Sequence, residues 1–236
     1  ADHVVSLTYK AVPIIEKLPY LQNQIIHISV IPTCCDFARF KPIPCDHKID
    51  GLTIGYVGTA SNWYLFDQTA ACFAELLQIR PDTQFLIVNR GEHAYIRKRL
   101  VAAKVPLEKV ELITADPSDM PRLISRMDAS VFFIKPVFSK QASAATKLAE
   151  LLGCGVPCLS NVGVGDMEEV LQGENVGVTL PSFDQASFLT GIYQLLQLVA
   201  SSTTKARCIA AAHKYFSLDD GVRKYSNIYE RLYKTL

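Results

Sequence analysis

The sequence has no run of like charge, no long apolar stretch, a single tryptophan and no regular cysteine spacing, and each absence removes a class of protein. With 24 lysines and arginines against 23 acidic residues and a net charge of +1, nothing in the balance points to a nucleic-acid or strongly anionic partner. Any anion it binds has to be met by a local site. No stretch approaches the ~18–20 consecutive apolar residues of a membrane-spanning helix, so no transmembrane segment is expected. The opening ADHVVSLTYK lacks an initiator methionine, a basic start and the apolar core of a signal peptide, and it reads as the middle of a fold in a processed or truncated chain.

The seven cysteines stand at 34, 35, 45, 72, 154, 158 and 208, an odd number without the spacing of a disulfide framework. They suggest a reducing, cytoplasmic setting, with the inner face of a membrane as a further location for the intact protein. Cys154 and Cys158 bracket GVP at a spacing that fits neither a zinc knuckle nor a redox pair. Cys34, Cys35, Cys45 and His47 could in principle gather a metal, but ordinary buried or loop thiols are the expected reading.

What is present is a rhythm. At 236 residues the chain can form one large α/β domain, or a domain with an appendage. Short apolar runs alternate with amphipathic segments, the pattern of repeated β-α units and a parallel sheet. Strands are expected over 3–7, 25–31, 52–58, 83–89, 109–114, 129–135, 156–160 and 175–180. Several are apolar without alternation, as expected where helices cover both faces of a sheet. Phe66, Thr69, Phe73, Leu76 and Leu77 form a helical stripe, and Ile96, Leu100 and Val101 a shorter one. Ser118 and Pro121 mark a helix start, with Leu123, Ile124 and Met127 on its core face. Helices follow over 184–200 and 205–216, and a last one opens at Ser217 with Asp220 three residues on. It carries Val222, Tyr225, Tyr229 and Leu232 at helical spacing.

VIPTCCDFARFKPIPCDHK interrupts this rhythm and reads as a linker. The expected division is a β-α-β piece over 1–31, a linker over 32–50, a compact doubly wound parallel sheet over 51–200 and C-terminal helices over 201–236. A β-α-β piece that short cannot bury its own core, so it either docks on the main domain or lacks its natural partner.

In open parallel sheets ligands sit at the carboxyl ends of the strands. Four places there carry suggestive residues. GYVGTASNWY brings Gly55 and Gly58, with Thr59, Ser61 and Asn62 as hydrogen-bonding groups. It is neither a dinucleotide fingerprint nor a Walker loop, which argues against a dehydrogenase. ADPSD offers free backbone groups suited to the edge of a base, or a simple N-cap. NVGVGD places Gly163 and Gly165 ahead of an acidic helix start, where Asp166 would supply N-terminal charge. The fourth place is KQASAATKLAELLGCGVPCLS. Ser143 or Thr146 can cap its helix, leaving free N–H groups and Lys147 at an anion site. Glu150, three residues on, could accept hydrogen bonds from vicinal hydroxyls such as those of a ribose. Without a ligand, a lysine in a first helical turn is mildly unfavourable, by about 0.3–1 kcal/mol. A solvated helix face is the plainer alternative.

VIPTCCDFARF and TKLAELLGCGVP resemble the linker and the P-[ST]-K-x-x-E-y-x-a-x-G-x-P segment of retaining glycosyltransferases with the GT-B fold, of the group 1, family 4-like type. GYVGTASNWY, the aspartate of RMDASVFF, SNVGVGDMEEV and FSLDDGVRKYSNIYERLY fall in that family's order. The resemblance implies the C-terminal, nucleotide-sugar-binding half of such an enzyme, a Rossmann-like α/β domain with C-terminal helices, the last crossing back to an N-terminal acceptor domain. It implies Glu150 on the ribose hydroxyls and Lys147, with Lys140, facing the diphosphate. Ile113 and Thr114 would lie against the base, and Gly58 with Thr59 near the phosphates. Lys147 and Glu150 would be the catalytic pair. The substrate would be a uridine or guanosine diphosphate sugar and the acceptor a sugar, lipid or protein, with no cofactor and no metal. Many members carry two glutamates with seven residues between them, and the position eight before Glu150 is Ala142 here; many also carry a basic pair after the first glycine loop, which is missing. The sequence is closer to a subgroup with S-K-x-x-S-x-x-T-K-x-x-E, in which Ser139 and Lys140 replace those charges. Two rival readings are a nucleotide-sugar epimerase of the same fold and a donor-site-degenerate assembly module.

Overall fold

The computed structural model describes residues 2–21, 26–44 and 51–234. Its centre is a six-stranded, wholly parallel sheet built from β3 (Thr53–Val57), β4 (Gln84–Val88), β5 (Val110–Ile113), β6 (Ala129–Val131), β7 (Cys158–Asn161) and β8 (Gly177–Leu180), in the order β5-β4-β3-β6-β7-β8. All five residues of β3 are buried, as the unbroken apolar run requires when helices cover both faces. Each expected strand of this sheet is present; most are trimmed at their ends, while the one expected over 156–160 is shifted and runs on to Asn161.

Helices α2 (Phe66–Ile79), α3 (His93–Ala102), α4 (Met120–Ile124), α5 (Thr146–Gly153), α6 (Met167–Gly173) and α7 (Gln185–Ala200) connect or flank these strands. The stripe on α2 is core: Phe66, Thr69, Phe73 and Leu76 are buried, and Phe73 stacks on Phe85 of β4 at 4.1 Å. Burying an aromatic of this size contributes roughly 1.5–3 kcal/mol. The helix expected from Ser118 starts later, because Pro117–Asp119 form a separate tight turn ahead of it.

The N-terminal piece is a second, two-stranded parallel sheet, β1 (Val4–Ser6) with β2 (Ile28–Val30), joined through α1 (Val12–Glu16). The expected strand over 25–31 begins in part outside the described residues. This piece docks on the main domain: Thr8 Oγ1 donates to the Gln141 carbonyl at 2.7 Å, and the Asp166 carboxylate accepts from the Tyr9 and Lys10 N–H groups at 2.6 and 3.1 Å. Asp166 does stand at the N-cap of α6, but it caps nothing there. Its charge satisfies the turn after β1 instead.

The proline-rich segment after β2 packs where described. The Phe37 ring and the Phe40 carbonyl lie so close to Gly153, at the end of α5, that a Cβ there would meet them at 2.7 and 2.8 Å. Cys45 and His47 fall outside the described residues. At the C-terminus, α8 (Thr204–Phe216) packs against α5, and α9 (Leu218–Lys234) starts where the Asp220 N–H reaches Ser217 Oγ at 3.3 Å. The helical stripe of α9 is not core. Val222, Tyr225 and Tyr229 are exposed, so the periodicity marks an amphipathic helix whose apolar side faces outward.

Candidate active site

β3 and β6 are neighbours in the sheet, yet the chain leaves them toward opposite edges, β3 to β4 and β6 to β7. The connections diverge at this pair and leave a crevice over their carboxyl ends, the place where open α/β sheets receive ligands. The loop with Gly58 follows β3, and the segment leading to α5 follows β6.

Gly58 has φ +96°, a backbone conformation that side chains rarely adopt. Its N–H donates to the Val88 carbonyl and its own carbonyl accepts from Asn89 Nδ2, both at 2.9 Å. The next amides are also occupied: Ala60 N–H and Ser61 N–H donate to the Glu92 carboxylate at 2.7 and 3.1 Å, and Asn89 Nδ2 donates to it at 2.8 Å. These bonds hold the Glu92 carboxyl below its usual range despite its partial burial. The loop expected to lie near the phosphates is thus fastened from within by a carboxylate.

Lys147 sits in the first turn of α5, which starts after Ala145 with no side-chain cap. Neither Ser143 nor Thr146 caps it, contrary to expectation; Ser143 is in extended backbone and Thr146 is already helical. The Lys147 side chain runs inward and is only 7% exposed, with Nζ at 3.2 Å from where a Cβ on Gly58 would stand. Among the described residues that amine has no hydrogen-bond partner. It rests on the rings of Tyr64 at 3.7 Å, Tyr56 at 5.0 Å and Phe132 at 5.4 Å. Burial pushes its pKa down to about 7, against the pull of Glu150, Cys158 and Glu92.

Glu150 lies one turn deeper and is half-buried. Burial raises its pKa, while Arg39 and then Lys147 pull it down. No ion pair joins Lys147 to Glu150: one side chain enters the β3 crevice while the other shares its surroundings with the linker, where Cys35 feels its charge and is pushed up to about 12, chiefly by burial.

The remaining expected residues fall around this centre. Lys140 Nζ stands 4.3 Å over the Trp63 ring, and Ser139 is exposed beside it. Thr59 is exposed, with its carbonyl accepting from the Tyr56 hydroxyl at 2.5 Å. Ile113 closes β5, its carbonyl accepting from Asn89 N–H at 3.0 Å, and Thr114 Oγ1 lies 3.3 Å from His93 Nε2. Arg39 from the linker donates to the Pro117 carbonyl in the following loop. Gly163 and Gly165 are supports. A Cβ on Gly163 would meet Pro136 at 2.9 Å, and one on Gly165 would meet the Ser143 carbonyl at 2.2 Å, so they let this loop press against the segment ahead of α5. Asp128 takes the opposite end of the sheet, where its carboxylate accepts from Thr53 N–H at 2.9 Å.

Sequence reasoning passed over Glu92, Asn89, His93, Tyr56 and Tyr64. One signal was available for the first two: an asparagine and a glutamate three apart, around a glycine, between a buried strand and a helix.

An apolar cavity of about 460 Å³ lies elsewhere, between the turn after β1 and α6, with Leu7, Leu148, Val170 and Phe216 among its walls. It holds neither Lys147 nor Glu150. The polar groups converge instead around Lys147 and the Gly58 loop.

Residues 51–198, more than half of the chain, match the family model for glycosyl transferases group 1. The chain belongs to that family. No curated protein matches the chain by sequence. Among solved structures it is similar to the sucrose-phosphate synthase of Thermosynechococcus elongatus, with 18% identity, TM-score 0.77 and coverage of 100% of this chain and 59% of that one. It is similar to the pneumococcal O-GlcNAc transferase GtfA, solved with UDP and GlcNAc, at 16% identity and TM-score 0.73, covering 98% of this chain and 45% of that one. It also resembles HepE of Anabaena, solved with UDP and glucose, at 16% identity and TM-score 0.71, covering 98% and 63%. The shared fold is the Rossmann-like half of a GT-B enzyme, and the chain spans less than two thirds of each of these proteins.

Proposed function

We propose that this chain is the donor-binding half of a retaining glycosyltransferase, binding a nucleoside-diphosphate sugar whose sugar passes to an acceptor held by a further domain. The single observation that carries this reading is Lys147: a buried amine without a partner, aimed at Gly58 beside the uncapped start of α5. A diphosphate there would meet the ammonium, the free helix N–H groups and the helix dipole together. It would also remove the conflict between a lysine and a helix N-terminus.

In this reading Glu150 accepts hydrogen bonds from the ribose hydroxyls, Thr114 and Ile113 border the base, and Lys140 with Ser139 lies toward the outer phosphate. Lys147 stabilises charge developing on the leaving diphosphate, so the transfer needs no metal or cofactor. Glu92 already fills the amides of Ala60 and Ser61, which leaves the α5 side as the anion's main support. Uridine is favoured over guanosine because GtfA and HepE were each solved with UDP. The division into a remnant at 1–31, a linker at 32–50, a donor domain at 51–200 and C-terminal helices at 201–236 belongs to the same reading, as does acceptor recognition by a preceding domain. Alone, the chain is expected to bind nucleotide with little turnover, because transfer requires the acceptor in line.

Titration calorimetry with UDP, GDP and pyrophosphate tests this. Binding of a nucleoside diphosphate in the micromolar to millimolar range is expected, and Glu150→Gln should weaken UDP more than pyrophosphate. Equal losses would remove Glu150 from the ribose, and no binding of any of the three would leave the assembly-module reading standing, which Ala142 in place of a carboxylate favours.

A further inference from the structure

Resting on that reading of the crevice, we propose that the anion enters it together with a proton, which Lys147 takes up as the phosphate arrives. The inference concerns how the site changes between free and bound states.

The geometry supplies the reason. In the free protein the amine is enclosed by ring faces and by the Gly58 turn, with no hydrogen-bond acceptor in reach and no paired carboxylate. A charge there has lost its water and gained little in return. The ring faces return part of the loss, by about 0.5–2 kcal/mol for a cation over an aromatic, which is less than burial takes away. The α5 N-terminus adds a partial positive charge of its own.

The ionisable groups facing Lys147 from each packed element are few. Glu150 lies on α5, Cys158 on β7 and Glu92 at the start of α3, while Tyr56 and Tyr64 come from β3 and its following loop. Burial keeps the Cys158 thiol and the Tyr56 hydroxyl protonated, and the Glu92 charge is already shared among three donors. Among the described residues only Glu150 and Glu92 bring negative charge, and neither touches the amine. An incoming phosphate would be its first direct counter-charge. It would pull the amine's proton affinity upward, so binding and protonation are linked.

The sign follows. Where the free amine is charged, near and below neutral pH, affinity for UDP should be level. Above about pH 8 it should fall, approaching tenfold per pH unit, because each binding event then has to draw a proton from solution. Calorimetry of UDP binding to the unmodified chain at pH 8.2, in Tris and in Hepes, reads this directly: the apparent enthalpies should differ by most of one buffer proton. Lys147→Met keeps an unbranched side chain one atom shorter and without the proton site, and it should bind UDP more weakly with no buffer dependence.

A ligand-free measurement separates the two levels of the argument. Folded Lys147 has a lower proton affinity than in the unfolded chain, so its contribution to stability rises with pH through the range 7–10. Lys147→Met should therefore be the more stable protein at pH 6, with the gap narrowing toward pH 10. UDP binding with equal enthalpies in both buffers and an unchanged affinity at pH 9 would overturn proton uptake while leaving the donor-site reading intact. Absence of UDP and GDP binding at every pH would overturn the site itself, whatever the stability gap shows.

Discussion

At the scale of single residues two charges meet around the Gly58 loop, the buried Lys147 and the half-buried Glu92, and the fold treats them differently. Lys147 has no hydrogen-bond partner among the described residues; Glu92 is saturated and holds a loop. Replacing Glu92 by Ala would strand the N–H groups of Ala60 and Ser61, at a cost of about 1–3 kcal/mol if water does not reach them. Chemical denaturation should show that loss, and it should shrink below about pH 4: the folded carboxyl has the lower pKa, so its contribution is present above the unfolded value and disappears as pH falls through the folded one. Gly58→Ala acts on the same loop differently. At φ +96° an added Cβ costs roughly 1–3 kcal/mol in backbone strain and crowds the Lys147 amine at 3.2 Å. Its expected signature is a lower denaturation midpoint together with weaker UDP binding, whereas a substitution harmful to folding alone would leave the affinity of the folded fraction intact.

At the scale of elements, joints hold the N-terminal piece and the segment after β2 to the six-stranded sheet and its helices. Asp166 receives two backbone N–H groups of the turn after β1, and Lys10 pairs with Glu169 at 2.9 Å across the same joint. Asp166→Ala should loosen this piece without unfolding the six-stranded sheet. Amide hydrogen exchange should then accelerate over 8–16 while protection in β3 and β4 persists; uniform acceleration across the chain would show that the joint is part of the global fold. The linker is held by Phe37 and Phe40 against Gly153, so the end of α5 and the Arg39 reach toward the loop at Pro117 are mechanically connected. The strands, the α2 stripe and the Ser217 start of α9 were legible in the sequence because they rest on local periodicity and capping. The roles of Asp166 and of the α9 stripe were not, since a carboxylate at an N-cap and an apolar stripe look the same whether they serve their own helix or another surface.

At the scale of the whole molecule, pH should act on stability in three stages. Carboxylates held below their usual range, Glu92 and Glu174 among them, favour the fold as pH rises through about 3–5. Lys147 adds stability from about pH 7 upward, as it sheds in the folded state a proton the unfolded chain still holds. Above about pH 9 the buried thiols reverse the trend: Cys35 and Cys208 are pushed up to about 12, so the unfolded chain loses protons that the fold retains. A thermal melt series should therefore peak on the alkaline side of neutrality, and Lys147→Met should flatten the rise above about pH 7 and let the alkaline decline set in earlier, because the lysine's contribution runs on to about pH 10.

The sequence alone determined the doubly wound sheet, because buried parallel strands and amphipathic helices leave periodicities that need no partner to be read. It also marked Lys147 and Glu150 as the odd charges of a short helix, and their spacing along KQASAATKLAELLGCGVPCLS as suited to one ligand. Only the tertiary structure decided that the two side chains diverge, one into the rings of Tyr56, Tyr64 and Phe132 and the other toward the linker. It alone placed Glu92 in the glycine loop. Helical spacing fixes which residues share a face, but burial, ring contacts and competing carboxylates come from segments far apart in the chain, and those decide where a charge can live.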